Sequence, residues 1–121
     1  RRPQGKAYKL SPPEMRALLQ NWEGPDGCLA TDHITVLGRK VGYCYREKPD
    51  SQYPDSGWRF FSGEETDEYA NDVNNVGVYS LNTICNYDPD ILPLLTAPYG
   101  TAYARGEDGK FYAEPFEAPE P

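Results

Sequence analysis

Residues 57–63 read Gly-Trp-Arg-Phe-Phe-Ser-Gly, an aromatic run between two glycines. Aromatic runs bounded by turn-forming residues are typical of short β-strands. Successive side chains of a strand point to opposite faces, so Trp58 and Phe60 share one face and Arg59 and Phe61 share the other. We expect Trp58 and Phe60 to fill a small core, and Arg59 and Phe61 to be available for contact with a partner.

Further strand-like segments lie on both sides of this run. Residues 40–46 alternate between two faces, with Val41, Tyr43 and Tyr45 on the same face. The other predicted strands are residues 28–31, 34–36, 76–79, 101–105 and 110–113. The last two flank a glycine-bounded turn, which indicates a β-hairpin.

The N-terminal region carries a helix signal. Ser11, with Glu14 three residues later, forms the pattern of a capping box. The apolar residues that follow recur at i, i+3, i+4 and i+7, which predicts an amphipathic helix packed on the sheet. They are Met15, Leu18, Leu19 and Trp22. A second, shorter helix is expected to begin at Ser80 or Asn82 and to run through Cys85.

These elements predict an α+β fold: a mostly antiparallel, curved sheet of five or six short strands, with an N-terminal helix and short helical turns. A length of 121 residues suits one domain. We divide the chain into a flexible leader (residues 1–10), a single α+β domain (residues 11–114) and a flexible tail (residues 115–121), where prolines and glutamates cluster.

The charge is negative and unevenly distributed. The net charge is −7, made of +4 over residues 1–48 and −11 over residues 49–121. An acidic chain repels phosphate backbones, so we predict no nucleic-acid partner. The acidic half would instead attract a basic partner, although such charge also serves ordinary solubility.

The three cysteines, Cys28, Cys44 and Cys85, are odd in number and lack CxxC spacing. This favours buried, reduced thiols and therefore a cytoplasmic protein. No apolar run approaches the roughly 20 residues that span a bilayer, so no membrane partner is predicted.

The residues that usually carry catalysis are scarce. The single histidine, His33, follows Asp32, but neighbours on a strand point to opposite faces. Ser62 has no nearby base in the sequence that would activate it. One histidine and three scattered cysteines make a poor zinc site. We therefore expect no enzymatic activity, no metal and no cofactor.

A cluster of carboxylates follows the aromatic run within nine residues: Glu64, Glu65, Asp67, Glu68 and Asp72. A solvated loop is the simplest interpretation. Alternatives are an acidic contact surface, a cation site or a pair of catalytic carboxylates. Together with Arg59 and Phe61, these five residues are our candidates for partner binding.

Four segments also carry a family resemblance. Residues 28–32 (CLATD), 41–47 (VGYCYRE), 55–64 (DSGWRFFSGE) and 79–91 (YSLNTICNYDPDI) stand in one order. This set resembles a bacterial family first described as a domain of unknown function and later grouped with the immunity proteins of polymorphic toxin systems. The resemblance implies a cytosolic, antitoxin-like protein that binds a cognate toxin and blocks it. It brings no catalytic residue with it.

Two other functions stay open at this point. One is a small enzyme or ligand-binding domain that uses Trp58, Arg59 and the acidic loop, since a pocket with convergent charged groups is the usual sign of such a site. The other is a regulatory partner of a larger complex. The oligomeric state is not predicted.

Overall fold

The structure, a computed structural model, describes residues 6–49 and 54–116. The strands are β1 (Gly27–Thr31), β2 (Tyr43–Arg46), β3 (Asp55–Phe61), β4 (Val76–Ser80), β5 (Thr101–Arg105) and β6 (Phe111–Glu114). The α-helices are α1 (Asp32–Thr35), α2 (Asp67–Asn71) and α3 (Leu81–Tyr87). Three 3₁₀ segments cover Pro12–Glu14, Val73–Asn75 and Pro89–Leu94. The predicted α+β class is confirmed.

The strands form one sheet in the order β4-β1-β3-β2-β5-β6. Strands β1 and β3 run parallel, and the other neighbouring pairs are antiparallel. The sheet is therefore mixed but mostly antiparallel, as predicted. The predicted hairpin is present as β5 and β6, and Ser80 caps α3 by accepting a hydrogen bond from the Thr83 amide at 3.1 Å.

One face of the sheet builds the core. Trp58 and Phe60 are 0% and 1% exposed, and their rings stack at 5.8 Å, so their predicted place in the core is confirmed. The indole N–H of Trp58 donates to the carbonyl of Leu95 at 3.1 Å, which satisfies its one buried polar group. The core residues supplied by the helical segments are Ile34, Leu81, Ile84, Cys85 and Ile91. All three cysteines are free and buried.

The predicted N-terminal helix is wrong. Only Pro12–Glu14 is helical, as a single 3₁₀ turn, and the chain then continues in a non-helical form. The reason lies in α3, whose Asn82 side-chain oxygen accepts from the amides of Leu18 (2.8 Å) and Leu19 (2.9 Å). Polar side chains that take up backbone groups in this way replace the helical hydrogen bonds.

The apolar residues of that segment still pack inward. Leu18, Leu19 and Trp22 are partly buried against the core. Asn86 extends the anchoring, because its side chain bonds both the amide and the carbonyl of Arg16, at 2.8 and 2.9 Å. Most of the stability of a short helix comes from its packing against the rest of the protein. The segment can therefore bury these side chains without being helical.

Two local expectations in the middle of the chain are also wrong. Residues 34–36 do not form a strand, because the chain turns into the short helix α1 directly after β1. Val41 does not share a face with Tyr43 and Tyr45: it is fully buried and precedes the strand, which begins at Tyr43. Its amide donates to the buried carboxylate of Asp88 at 2.9 Å instead of joining the sheet.

The termini are described in part. Residues 1–5 of the predicted leader and 117–121 of the predicted tail lie outside the described residues. Within residues 6–10, Lys6 bonds Asp32 at 2.9 Å, and the amide of Lys9 donates to the carbonyl of Thr35 at 2.8 Å. This stretch therefore contacts α1.

Candidate functional site

The second face of the sheet carries an aromatic group: Tyr43, Tyr45 and Phe61, all half-buried. Cross-strand pairing brings them together, since Tyr43 lies opposite Phe61 on the neighbouring strand. The ring of Phe61 is 6.0 Å from that of Tyr43 and stacks on that of Tyr45 at 5.8 Å. Phe61, a predicted contact residue, thus lies at the centre of what we call the aromatic face.

Arg59 lies on the same side but is 7% exposed. Its guanidinium donates to both carboxylate oxygens of Asp55, at 2.9 and 2.8 Å, and to Glu47 at 2.7 Å. It also donates to its neighbour's carbonyl, that of Trp58, at 3.1 Å. Burial works against its charge, but the bonds to Asp55 and Glu47 outweigh burial and raise the pKa of Arg59. Arg59 is therefore a buried, charged residue beside the aromatic face.

This arrangement separates two residues that the ligand-binding hypothesis joined. Trp58 belongs to the core face and Arg59 to the opposite face, as the alternation of β3 requires. Next to Arg59, Tyr45 carries a hydroxyl whose pKa is raised to about 12, first by burial and then by the nearby Glu47. Tyr45 is thus neutral at physiological pH and acts as a polar aromatic group.

The acidic loop is anchored by one of its own carboxylates. The Glu65 side chain is 3% exposed and accepts from the amides of Ser62 (2.8 Å) and Gly63 (3.0 Å) and from the Thr31 hydroxyl. Burial raises the pKa of Glu65, but these hydrogen bonds outweigh burial and hold that pKa below its usual range. A buried negative charge therefore persists at the junction of β1 and β3.

The other acidic candidates are exposed. Asp67 and Glu68 form the first turn of α2, which Thr66 caps through the amide of Tyr69 at 3.1 Å. Asp72 accepts from the amide of Asn74 at 2.9 Å and so ends the helix in a second turn. Glu64 pairs with Arg39 on the surface. The structure thus groups Asp67, Glu68 and Asp72 around one short helix, and divides them from the buried Glu65.

The contact between His33 and Ser62 was not predicted from the sequence. His33 Nδ1 lies 2.7 Å from the hydroxyl of Ser62, so the expectation that Ser62 has no base nearby is wrong. In a catalytic triad the carboxylate bonds the ring nitrogen that faces away from the nucleophile. Here Glu65 approaches the same Nδ1, at 3.7 Å, and the Tyr69 ring packs on the imidazole at 4.6 Å. The pair therefore fastens the acidic loop to α1.

Two cavities flank Phe61. The first, which we call the β1 cavity, has a volume of about 200 Å³ and is lined among others by Leu29, Tyr45, Glu47, Arg59 and Val76. The second, which we call the β5 cavity, has a volume of about 400 Å³ and is lined by Gly42, Tyr43, Glu65, Asp67 and Ala104. Phe61 and Ala70 of α2 contribute to both. The acidic loop and the aromatic face therefore share a concave surface.

Within residues 6–49 and 54–116, no three His, Cys, Asp or Glu side chains are grouped so as to hold a metal ion. None of the helices in this part of the chain is long and apolar enough to cross a membrane.

Comparison with known proteins adds one positive result. The family model described as the immunity protein Imm33 domain matches residues 28–114. This span contains the aromatic face, the acidic loop and both cavities, and it begins after the N-terminal segment anchored by Asn82 and Asn86. No curated protein and no solved structure gives a significant match.

Proposed function

The chain belongs to the Imm33 immunity protein family, and from this premise we propose that it binds a cognate bacterial toxin in the cytoplasm and blocks it without catalysis. The contact surface is the aromatic face together with the acidic loop. The toxin surface that meets it is basic.

The observation that carries this proposal is the position of α2. Asp67, its first residue, lines the β5 cavity together with the half-buried ring of Phe61, and the exposed Glu68 follows on the same turn. Binding energy at protein interfaces is concentrated in aromatic anchors surrounded by a polar rim. Charge complementarity at such a rim speeds association and selects the partner. A net charge of −11 over residues 49–121 extends the same attraction beyond the loop.

The ligand-binding alternative has less support. The guanidinium of Arg59 is already bonded to Asp55 and Glu47, which leaves it little capacity for an anionic ligand. The β1 cavity beside it, at about 200 Å³, is smaller than the roughly 300–1,000 Å³ of ordinary ligand sites. The β5 cavity, at about 400 Å³, falls within that range, but neither Trp58 nor Arg59 lines it. A protein partner makes better use of a shallow, aromatic surface.

The test is co-expression with the protein encoded next to this gene. We expect this chain to restore growth of cells that express the toxin, and titration calorimetry to give a dissociation constant in or below the micromolar range. Failure of rescue together with the absence of binding heat would contradict the proposal.

The contact surface is tested by charge reversal. The double variant Asp67→Lys/Glu68→Lys should slow association about tenfold at low salt, because steering depends on charge near the contact. The matched control is Glu23→Lys/Glu107→Lys, which changes the net charge equally at exposed positions that line neither cavity. If both variants slow association equally, the net charge matters and the acidic loop does not.

A further inference from the structure

The two cavities beside Phe61 differ in the net charge of the residues that line them. In the β1 cavity the charged residues are Arg59 and Glu47, which form an ion pair at 2.7 Å. In the β5 cavity the charged residues are Glu65 and Asp67, which are both acidic. Two cavities of one surface thus suit different side chains.

Within the described residues, the two carboxylates that line the β5 cavity have no lysine or arginine partner. The hydrogen-bond donors to Glu65 are a hydroxyl and two backbone amides, which carry no formal charge. The nearest basic group, His33 Nδ1, is 3.7 Å from Glu65. In the described part of the chain Asp67 makes no ion pair. A buried carboxylate is stabilised by a cation placed beside it.

The walls of this cavity also suit a cation on a long stem. Tyr43 and Phe61 supply ring surface, on which aliphatic stems pack and cationic heads are attracted to the ring face. The floor is nearly free of side chains at Gly42 and Ala104. A Cβ at Gly42 would lie 2.0 Å from the carbonyl oxygen of Ser62, so the backbone directly after β3 requires glycine at position 42.

We propose that the β5 cavity receives one lysine or arginine side chain of the toxin. The stem packs against Phe61 and Tyr43, and the cationic head lies between Glu65 and Asp67. This inference rests on the proposed function and sharpens it, because it assigns one residue type of the partner to one cavity.

The decisive variant fills the cavity without touching the core. Ala104 pairs with Tyr43 and Tyr112 on neighbouring strands, so Ala104→Leu adds bulk on the aromatic face alone. We expect this variant to bind the toxin of the adjacent gene at least tenfold more weakly by calorimetry, with an unchanged thermal midpoint. Ala113→Leu, at an exposed position of β6, is the matched control and should bind within about twofold of the unmodified chain.

A second set of variants tests the charge of the cavity separately from its volume. Asp67→Asn should weaken toxin binding about tenfold, whereas Glu23→Gln, at an exposed position that lines neither cavity, should leave it within about twofold. The double variant Ala104→Leu/Asp67→Asn should bind no more weakly than Ala104→Leu alone, because a filled cavity has already lost the cation.

A probe independent of the toxin completes the test. Arginine amide titrated into the full chain should shift the backbone NMR signals of Gly42, Gly63 and Ala104, and Ala104→Leu should abolish these shifts. Normal toxin binding by Ala104→Leu and Asp67→Asn would overturn the cation site and leave the proposed function standing. Loss of toxin binding in the unmodified chain, with the arginine amide shifts intact, would overturn the proposed function instead. Absence of the shifts in a folded, unmodified chain would overturn the cation site in either case.

Discussion

The two faces of β3 show how one strand serves two purposes. On one face Trp58 and Phe60 are enclosed by apolar residues and contribute only to the core. On the other face Arg59, at 7% exposed, is bonded to carboxylates, and Phe61 is left half-buried. One face is therefore held by apolar packing and the other by an ion network.

The difference has a consequence for binding. A side chain that is fixed before it meets a partner loses less conformational entropy on binding. The Arg59 network lies beside Tyr45 and Phe61 and ties β3 to Glu47, the residue that follows β2. The aromatic face is thus supported by charged groups that are already paired inside the protein, while the exposed carboxylates of α2 stay available to a partner.

The largest expected effect is on the core face. Trp58→Ala removes a fully buried ring and its hydrogen bond to Leu95, and it should lower the free energy of unfolding by about 3–5 kcal/mol. Urea denaturation followed by circular dichroism measures the loss. Trp22→Ala is the control, since Trp22 is only partly buried, and should cost less. Equal losses would mean that the N-terminal segment contributes as much as the core face.

The next largest effect is expected from a variant that breaks the ion network on the opposite face. Arg59→Met removes the guanidinium that donates to both carboxylate oxygens of Asp55, a residue with 2% of its side chain exposed. We expect a loss of about 3 kcal/mol in urea denaturation, at the low end for buried pairs because Glu47 keeps contact with water.

The double variant shows whether the loss comes from the charge of Asp55. Arg59→Met/Asp55→Asn removes that charge and keeps an acceptor for the amide of Gly57, so it should recover more than half of the lost stability. No recovery would mean that Arg59 stabilises the protein through the packing of its aliphatic stem. Both faces of β3 would then be held by apolar packing.

The alternation of β3 could be predicted from sequence because it is local. Trp58 and Phe60 needed only the period of a strand, and the β5–β6 hairpin needed only its turn residues. The failed N-terminal helix depended on Asn82 and Asn86, which lie more than sixty residues further along the chain. Local propensity cannot anticipate side chains that arrive from such a distance.

The candidate site also has one part that could be predicted from the sequence and one part that could not. The acidic residues of the loop could be grouped from their spacing, but the sequence did not separate the buried Glu65 from the exposed Asp67. That separation needed the Thr31 hydroxyl of β1 and the register of two strands. The contact of His33 with Ser62 likewise needed α1 to follow β1, where the sequence favoured a strand.

The smallest expected effect concerns Glu65, which fastens the acidic loop to the sheet. Glu65→Gln keeps an acceptor but loses the charge that strengthens the hydrogen bonds from Thr31, Ser62 and Gly63, so it should cost about 1 kcal/mol at pH 7. Glu68→Gln is the control and should stay within about 0.5 kcal/mol of the unmodified chain, because Glu68 is exposed.

The pH dependence of that difference identifies its cause. The pKa of Glu65 is lower in the folded chain than in the unfolded chain, so its charge stabilises the fold above its ordinary titration range. As the pH falls through the folded pKa, the carboxylate is protonated and this contribution is lost. Denaturation at a series of acidic pH values should therefore show the unmodified chain and Glu65→Gln converging. A constant gap between them would mean that the shape of Glu65, and not its charge, holds the loop beside the aromatic face.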